Sequence, residues 1–367
     1  MTRAVRGVPA LRALIASCVL ASSAPVWAGG ADPHDSDAAF VDELWRQATA
    51  ALEQAVAARI PPLRPPVPVP VTWRARRMGT VDLQAPLLAL TAVDLDADGT
   101  SELVALTTRE VLLLRRVDSR RVDVVGRLEL PAGPSSLRPR DPVGQLAVIA
   151  GANGPEVLAR ASGSARGLAV ALREGKLAEL RGFDGFPVCD LGSVTLEGSR
   201  NYFARASLVW RDPKQAPALA GDFYATGCAN GMVDVAGRPL DSFAVLATDG
   251  TLALRFERRC RDEDAECRSN PVFETTLTNV GIAFAVGDID NDGLPEVISA
   301  NDQPPGDPDR VSVYTPRGSR WQRVFQHGFS GGIAGIAIGD FDGDGAMDVA
   351  TAVRLVGSDR VDLWSLD

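Results

Sequence analysis

A nine-residue acidic pattern, D-x-D-x-D-G-x-x-[DE], occurs three times in this chain, at residues 94–102, 288–296 and 340–348. Three carboxylates within five residues repel one another unless a hard cation sits among them, and a glycine at the sixth place allows the sharp turn that gathers them. Such an oxygen-rich set points to Ca2+, which takes about six to eight oxygen ligands. Side-chain oxygens are expected from the first, third, fifth and ninth places: Asp94, Asp96, Asp98 and Glu102; Asp288, Asp290, Asp292 and Glu296; Asp340, Asp342, Asp344 and Asp348. A main-chain carbonyl is expected from the seventh, Thr100, Leu294 and Ala346. Three calcium ions are therefore the expected cofactors.

The surroundings of the pattern decide what it is built into. An EF-hand loop opens the same way but needs an acid at its twelfth place and a helix on each side. Those places hold Ala105, Ser299 and Thr351, and the acid stands at the ninth place, directly before short β-prone runs at 103–107, 297–300 and 349–353. Each loop is expected to end by entering a strand.

The 367 residues, 46% of them hydrophobic, suffice for a packed core. Residues 1–28 read as a secretory signal, with Arg3, Arg6 and Arg12 before an apolar run and a small-residue cleavage site at Val26-Trp27-Ala28. A rival reading makes Cys18 a lipid anchor. Removing the signal takes three arginines and no acid, so the formal charge moves from −9 to −12. Nucleic acid and anionic membranes are poor partners for such a chain, and no later segment is long and apolar enough to span a bilayer. The expected location is periplasmic or secreted. Four cysteines remain, and disulfides are expected between Cys260 and Cys267, closing a local acidic loop, and between Cys189 and Cys228.

Residues 29–60 carry apolar positions at helical spacing, Phe40, Val41, Leu44, Trp45, Ala48, Leu52 and Val56, which predicts one amphipathic helix over 36–59. Residues 61–70 hold six prolines in a stiff, extended linker that separates the helix from the rest of the chain. From residue 71 to 367 the pattern turns to short apolar runs cut by Gly, Asp and Pro, an all-β sequence. Residues 281–314 and 333–364 repeat one scheme, strand, acidic loop, strand, loop, strand, with loop starts 52 residues apart, the spacing of propeller blades. Weaker copies put further loop starts near 137, 180 and 222, making about six units with the third poorly defined. Residues 145–150 read as the strand after an eroded loop around Asp141, and residues 167–183 and 243–256 read as hairpins.

The three loops and the strands around them resemble the FG-GAP and VCBS-type repeat proteins over roughly residues 71–367. That resemblance implies an integrin α-subunit-like β-propeller of six or seven four-stranded blades, closed by pairing the chain ends, with residues 73–77 and 361–364 as the closing segments. It further implies structural calcium and an adhesion-type, non-catalytic binding role toward an extracytoplasmic protein or glycan. The surface expected for this comprises loops at 228–239, 260–270 and 301–309. A lectin-like carbohydrate binder and a polysaccharide-acting enzyme are the alternatives. Only two histidines exist, and His327 reads as part of an exposed turn; the acids at 262–266 crowd one loop. The tryptophans at 73, 210, 321 and 364 read as core.

Overall fold

The computed structural model describes residue 47, which is helical, and residues 67–366 apart from 134–141, 152–153, 186, 191–194, 198–222, 234–238, 248–249, 259–272, 305 and 318–319. The expected signal segment, nearly all of the N-terminal helix, Trp210 and the acids at 262–266 lie outside these residues. Among the described residues no helix is long and apolar enough to cross a membrane.

The described chain from residue 75 onward is built of antiparallel sheets. Strand β1 (Ala75–Asp82) is followed by a meander of β2 (Leu87–Val93), β3 (Glu102–Thr107), β4 (Glu110–Asp118) and β5 (Arg121–Glu129). A second meander runs through β6 (Gly144–Gly151), β7 (Gly154–Ala161), β8 (Gly167–Arg173) and β9 (Lys176–Phe183). A short pair, β10 (Pro187–Asp190) and β11 (Thr195–Glu197), comes next, and then β12 (Phe223–Val233), β13 (Pro239–Ala247), β14 (Leu252–Arg258) and β15 (Phe273–Leu277). The sheet of β16 (Val280–Gly287), β17 (Glu296–Asn301), β18 (Asp309–Arg317) and β19 (Arg320–Phe329) precedes the last one, formed by β20 (Ile333–Gly339), β21 (Asp348–Arg354) and β22 (Arg360–Leu366). That last sheet takes β1 as its fourth, outer strand, with Ala75 opposite Leu366 and Asp82 opposite Arg360.

The first strands stand side by side in a ring: β2 beside β6, β6 beside β10, β10 beside β12, β12 beside β16, β16 beside β20, and β20 again beside β2. Among the described residues, five four-stranded sheets and one two-stranded sheet thus radiate from a common axis, and the pairing of β1 with β22 draws the two ends of the ring together. The expected closing segments at 73–77 and 361–364 meet in that pairing, where Arg77 faces Trp364. Closure hides a strand edge that an open sheet would leave unpaired.

Burial tracks each strand's rank within its sheet. The second strands β3, β17 and β21 are covered on both faces, and β3 is buried throughout. Alternation sends Leu103 and Ala105 into the core shared with β20–β22 and β1, and Val104 and Leu106 into the core shared with β6–β9. Strand β21 does the same, with Ala350 and Ala352 on one side and Val349 and Val353 on the other. These strands therefore read as unbroken apolar runs. The outer strand β19 alternates exposed and half-buried positions instead. The hairpin expected at 167–183 is present: Glu174 and Gly175 form its two-residue turn with φ of 52° and 76°, both in the left-handed region that such turns require. Strands β13 and β14 pair as the hairpin expected at 243–256.

The loop start expected near 180 falls within the outer strand β9, and two further sequence expectations were out of phase. Residues 145–150 are the inner strand β6, which begins its sheet and lines the axis, not a strand that comes after a loop near Asp141. Phe223, expected just inside a loop, begins the inner strand β12. Both errors come from reading a Gly/Asp cluster as the turn after an inner strand when it stands before one.

Candidate metal loops

All three acidic loops occupy the same place in the fold, the connection from the first to the second strand of a sheet: β2 to β3, β16 to β17, and β20 to β21. Each is folded by its own carboxylates. The first aspartate accepts a hydrogen bond from the N–H of the sixth-place glycine: Gly99 to Asp94 at 2.9 Å, Gly293 to Asp288 at 2.9 Å, Gly345 to Asp340 at 2.8 Å. The fifth aspartate accepts one from the seventh residue, with Thr100, Leu294 and Ala346 donating to Asp98, Asp292 and Asp344 at 2.8 Å each. In the first two loops the ninth-place glutamate reaches back to the second residue, as Leu95 N–H donates to Glu102 at 3.0 Å and Ile289 N–H to Glu296 at 2.9 Å. The fourth place is left-handed as well as the sixth: Ala97, Asn291 and Gly343 have φ of 59°, 52° and 77°. The sequence motif names only the sixth.

The carboxylates converge, though not all of those expected do so. Ligand-capable oxygens of Asp94, Asp96 and Glu102 lie within 4.8 Å of one another, as do those of Asp288, Asp290 and Glu296. In the third loop the converging set is Asp340, Asp342 and Asp344. Asp98, Asp292 and Asp348 stand outside these sets. The third loop closes with an aspartate, one methylene shorter than the glutamate of the other two.

Electrostatically the first two loops differ. In loop 94–102 a guanidinium lies among the acids: Arg115 of β4 donates from Nη2 to Asp96 Oδ2 at 2.7 Å and also to Glu102 Oε1. The bond to Glu102 holds the Arg115 pKa above its usual value. In loop 288–296 Glu296 is 1% exposed and its Oε1 is without a hydrogen-bond partner. Burial, opposed by the Ile289 bond and reinforced by the three aspartates, pushes Glu296 up to about 8, and burial pushes Asp288 up to about 6; Asp290 is raised for the same reason. A buried, orphaned carboxylate oxygen beside two further carboxylates is what a hard divalent cation satisfies. Asp288, Asp290 and Glu296 would hold Ca2+, and the ion would supply the charge that this pocket lacks.

Neighbouring parts meet these loops. Ser101 N–H donates to the Asp340 carbonyl at 2.6 Å, so the first and third loops abut across adjacent sheets. The end of the proline-rich linker lies on the second loop: Val69 N–H donates to the Asp290 carbonyl at 2.7 Å, and Asn291 Nδ2 to the Val67 carbonyl at 2.8 Å. At this end the linker is therefore held against the sheets.

The remaining expected residues are spread over the sheets. His327 is not on an exposed turn but on β19, half-buried between Phe325, Phe329 and Trp364 with ring centroids 4.9 to 6.3 Å away. Trp73, Trp321 and Trp364 pack against cores between sheets. Cys189 stands in β10 and Cys228 in β12, strands that neighbour each other; the expected bridges, including Cys260 with Cys267, lie outside the described residues. Of the three loops expected to share a binding surface, residues 260–270 and 234–238 lie outside the described residues. Residues 228–233 belong to β12, and residues 301–309, joining the second strand to the third, lie at the end of the sheet opposite its acidic loop. A cavity of about 440 Å³ runs along the axis, lined by inner-strand residues and by the half-buried Arg354, which donates to the Leu87 carbonyl at 3.1 Å.

A closed ring of antiparallel sheets whose first connections carry acidic loops is a β-propeller of the repeat-built kind. Residues 274–351, which include the second and third loops, match the sequence model of the FG-GAP-like repeat. No curated protein matches it significantly. Among solved structures it is similar to a tail fibre of Staphylococcus aureus phage P68 (12% identity, 80% of this chain and 52% of the fibre, TM-score 0.37). It is similar also to the SapL1 lectin in complex with α-methyl fucoside (11%, 77% and 95%, TM-score 0.42). A third is a putative glucose dehydrogenase of Thermus thermophilus (12%, 80% and 100%, TM-score 0.40). The chain spans about half the length of the tail fibre it matches.

Proposed function

We propose that this protein is an exported, calcium-stabilised β-propeller that serves as a non-catalytic binding scaffold. The observation that carries this reading is the division between the two ends of the sheets. At one end all three acidic loops tie a first strand to a second, so a cation held there braces the wheel, and where that cation is a metal ion its affinity for the folded state becomes folding free energy. The opposite end of the β16–β19 sheet is free of such loops. It presents Ile282, 53% exposed, at the rim of the axial cavity beside the exposed residues 302–304 and 306–308. Connections from several sheets meet at such a rim, which is where a propeller gathers contacts for a partner. The signal-like residues 1–28 supply the export, and a compartment rich in calcium suits sites of modest affinity.

Affinity capture of envelope proteins on the full chain, with calcium and with EGTA, tests the reading together with a glycan array. The expected result is a protein partner whose retention drops when Ile282 is replaced by Glu. Binding confined to sugars on the array establishes the lectin alternative, and turnover in a polysaccharide degradation screen establishes the enzyme.

A further inference from the structure

The repeat pattern makes the first and second acidic loops equivalent, yet the strands behind them are not. Leu103 pairs with Leu114 and Val297 with Tyr314. One step along each ladder toward the loop sets Glu102 opposite Arg115 and Glu296 opposite Thr315. From that position Arg115 reaches two of the three converging acids, bonding Asp96 and Glu102 through one terminal nitrogen. Thr315 is buried at 4% exposure, uncharged and short, and Glu296 Oε1 has no hydrogen-bond partner.

We propose that Arg115 is the resident cation of loop 94–102, so that this sheet is locked without calcium while loop 288–296 depends on the ion. A guanidinium keeps its charge at any physiological pH and offers fixed donors that match carboxylate geometry. It uses the lone pairs of Asp96 and Glu102 that an ion would need, and an ion entering the loop would meet a positive charge already in place. At loop 288–296 burial raises the Asp290 pKa and the charge of Arg317 opposes that rise, with no hydrogen bond from Arg317 to these acids among the described contacts. The half of the inference concerning loop 288–296 rests on the calcium reading above; the half concerning Arg115 does not.

Calcium stoichiometry of the full chain, measured by native mass spectrometry and equilibrium dialysis, tests it, with thermal melts in EGTA and in calcium alongside. Asp96→Asn is expected to bind as many ions as the wild type, Asp288→Asn one fewer, and Arg115→Met one more. The melting temperature of Arg115→Met is expected to fall in EGTA and to recover in calcium. Loss of one ion on Asp96→Asn, or an unchanged count for Arg115→Met, overturns the proposal. If Arg115→Met does not fold, the Asp96→Asn count decides. A wild type that binds no ion removes calcium from loop 288–296 instead; Arg115→Met still decides the present question, a gained ion sustaining it and none overturning it.

Discussion

Glu296 is the residue on which the chemistry of the second loop turns. Burial holds its carboxyl at about 8 and that of Asp288 at about 6. Between the ordinary glutamate value of 4.5 and about 8 the metal-free folded chain then binds more protons than the unfolded chain. Its stability must fall as pH rises through that window. Melts in EGTA are expected to lose several degrees between pH 5 and pH 8, and calcium, which binds the deprotonated acids, is expected to remove most of the slope. Glu296→Gln should flatten the EGTA curve; an EGTA curve that rises with pH contradicts the assignment. The left-handed places allow a second check. Gly99 has φ of 92° with open space around it, so Gly99→Ala is expected to cost about 1–2 kcal/mol in urea unfolding from backbone strain alone. Ala97→Gly, which relieves strain at the fourth place, should cost nothing comparable.

Among the elements, the most dependent on its surroundings is the segment before β1. Residues 67–70 have no regular structure and are exposed, and the described hydrogen bonds that hold them reach Asp290 and Asn291. If calcium sets the shape of loop 288–296, it also sets this attachment. Limited trypsin digestion is therefore expected to cut after Arg74, the exposed arginine that follows this segment, several-fold faster in EGTA than in calcium, and Asn291→Ala should make cutting fast in both; equal rates for all would separate the segment from the loop. That contact was not legible in the sequence, where a proline run reads as a spacer. Nor was the phase of the blades between residues 130 and 230. Without a complete acid pattern to mark the first connection, Gly/Asp clusters before and after an inner strand look alike, and β6 and β12 were each displaced by one strand. In the two intact repeats near the C-terminus the strand order was plain, because the acids at 288–296 and 340–348 punctuate it.

For the whole molecule, closure through β1 and β22 is the step that converts a row of meanders into a ring. Leu363 and Met78 lie in the core it seals, at 0% and 1% exposure. Leu363→Ala is expected to lower stability by about 2–5 kcal/mol, and a chain lacking residues 75–82 is expected to lose its single cooperative transition; a sharp, unchanged melt would show that the ring does not need its closing strand. What the amino-acid order determined unaided was everything that depends on neighbours in the chain: the acidic loops, the glycines that turn them, the hairpins, and the repeat that makes a wheel of sheets. What only the folded molecule decided was which charges meet. Arg115 lies 13 residues beyond Glu102, on another strand, and His327 enters an aromatic cluster with a partner from a different sheet. Spacing along a strand specifies which face a side chain takes; register across strands and contact between sheets specify what it finds there.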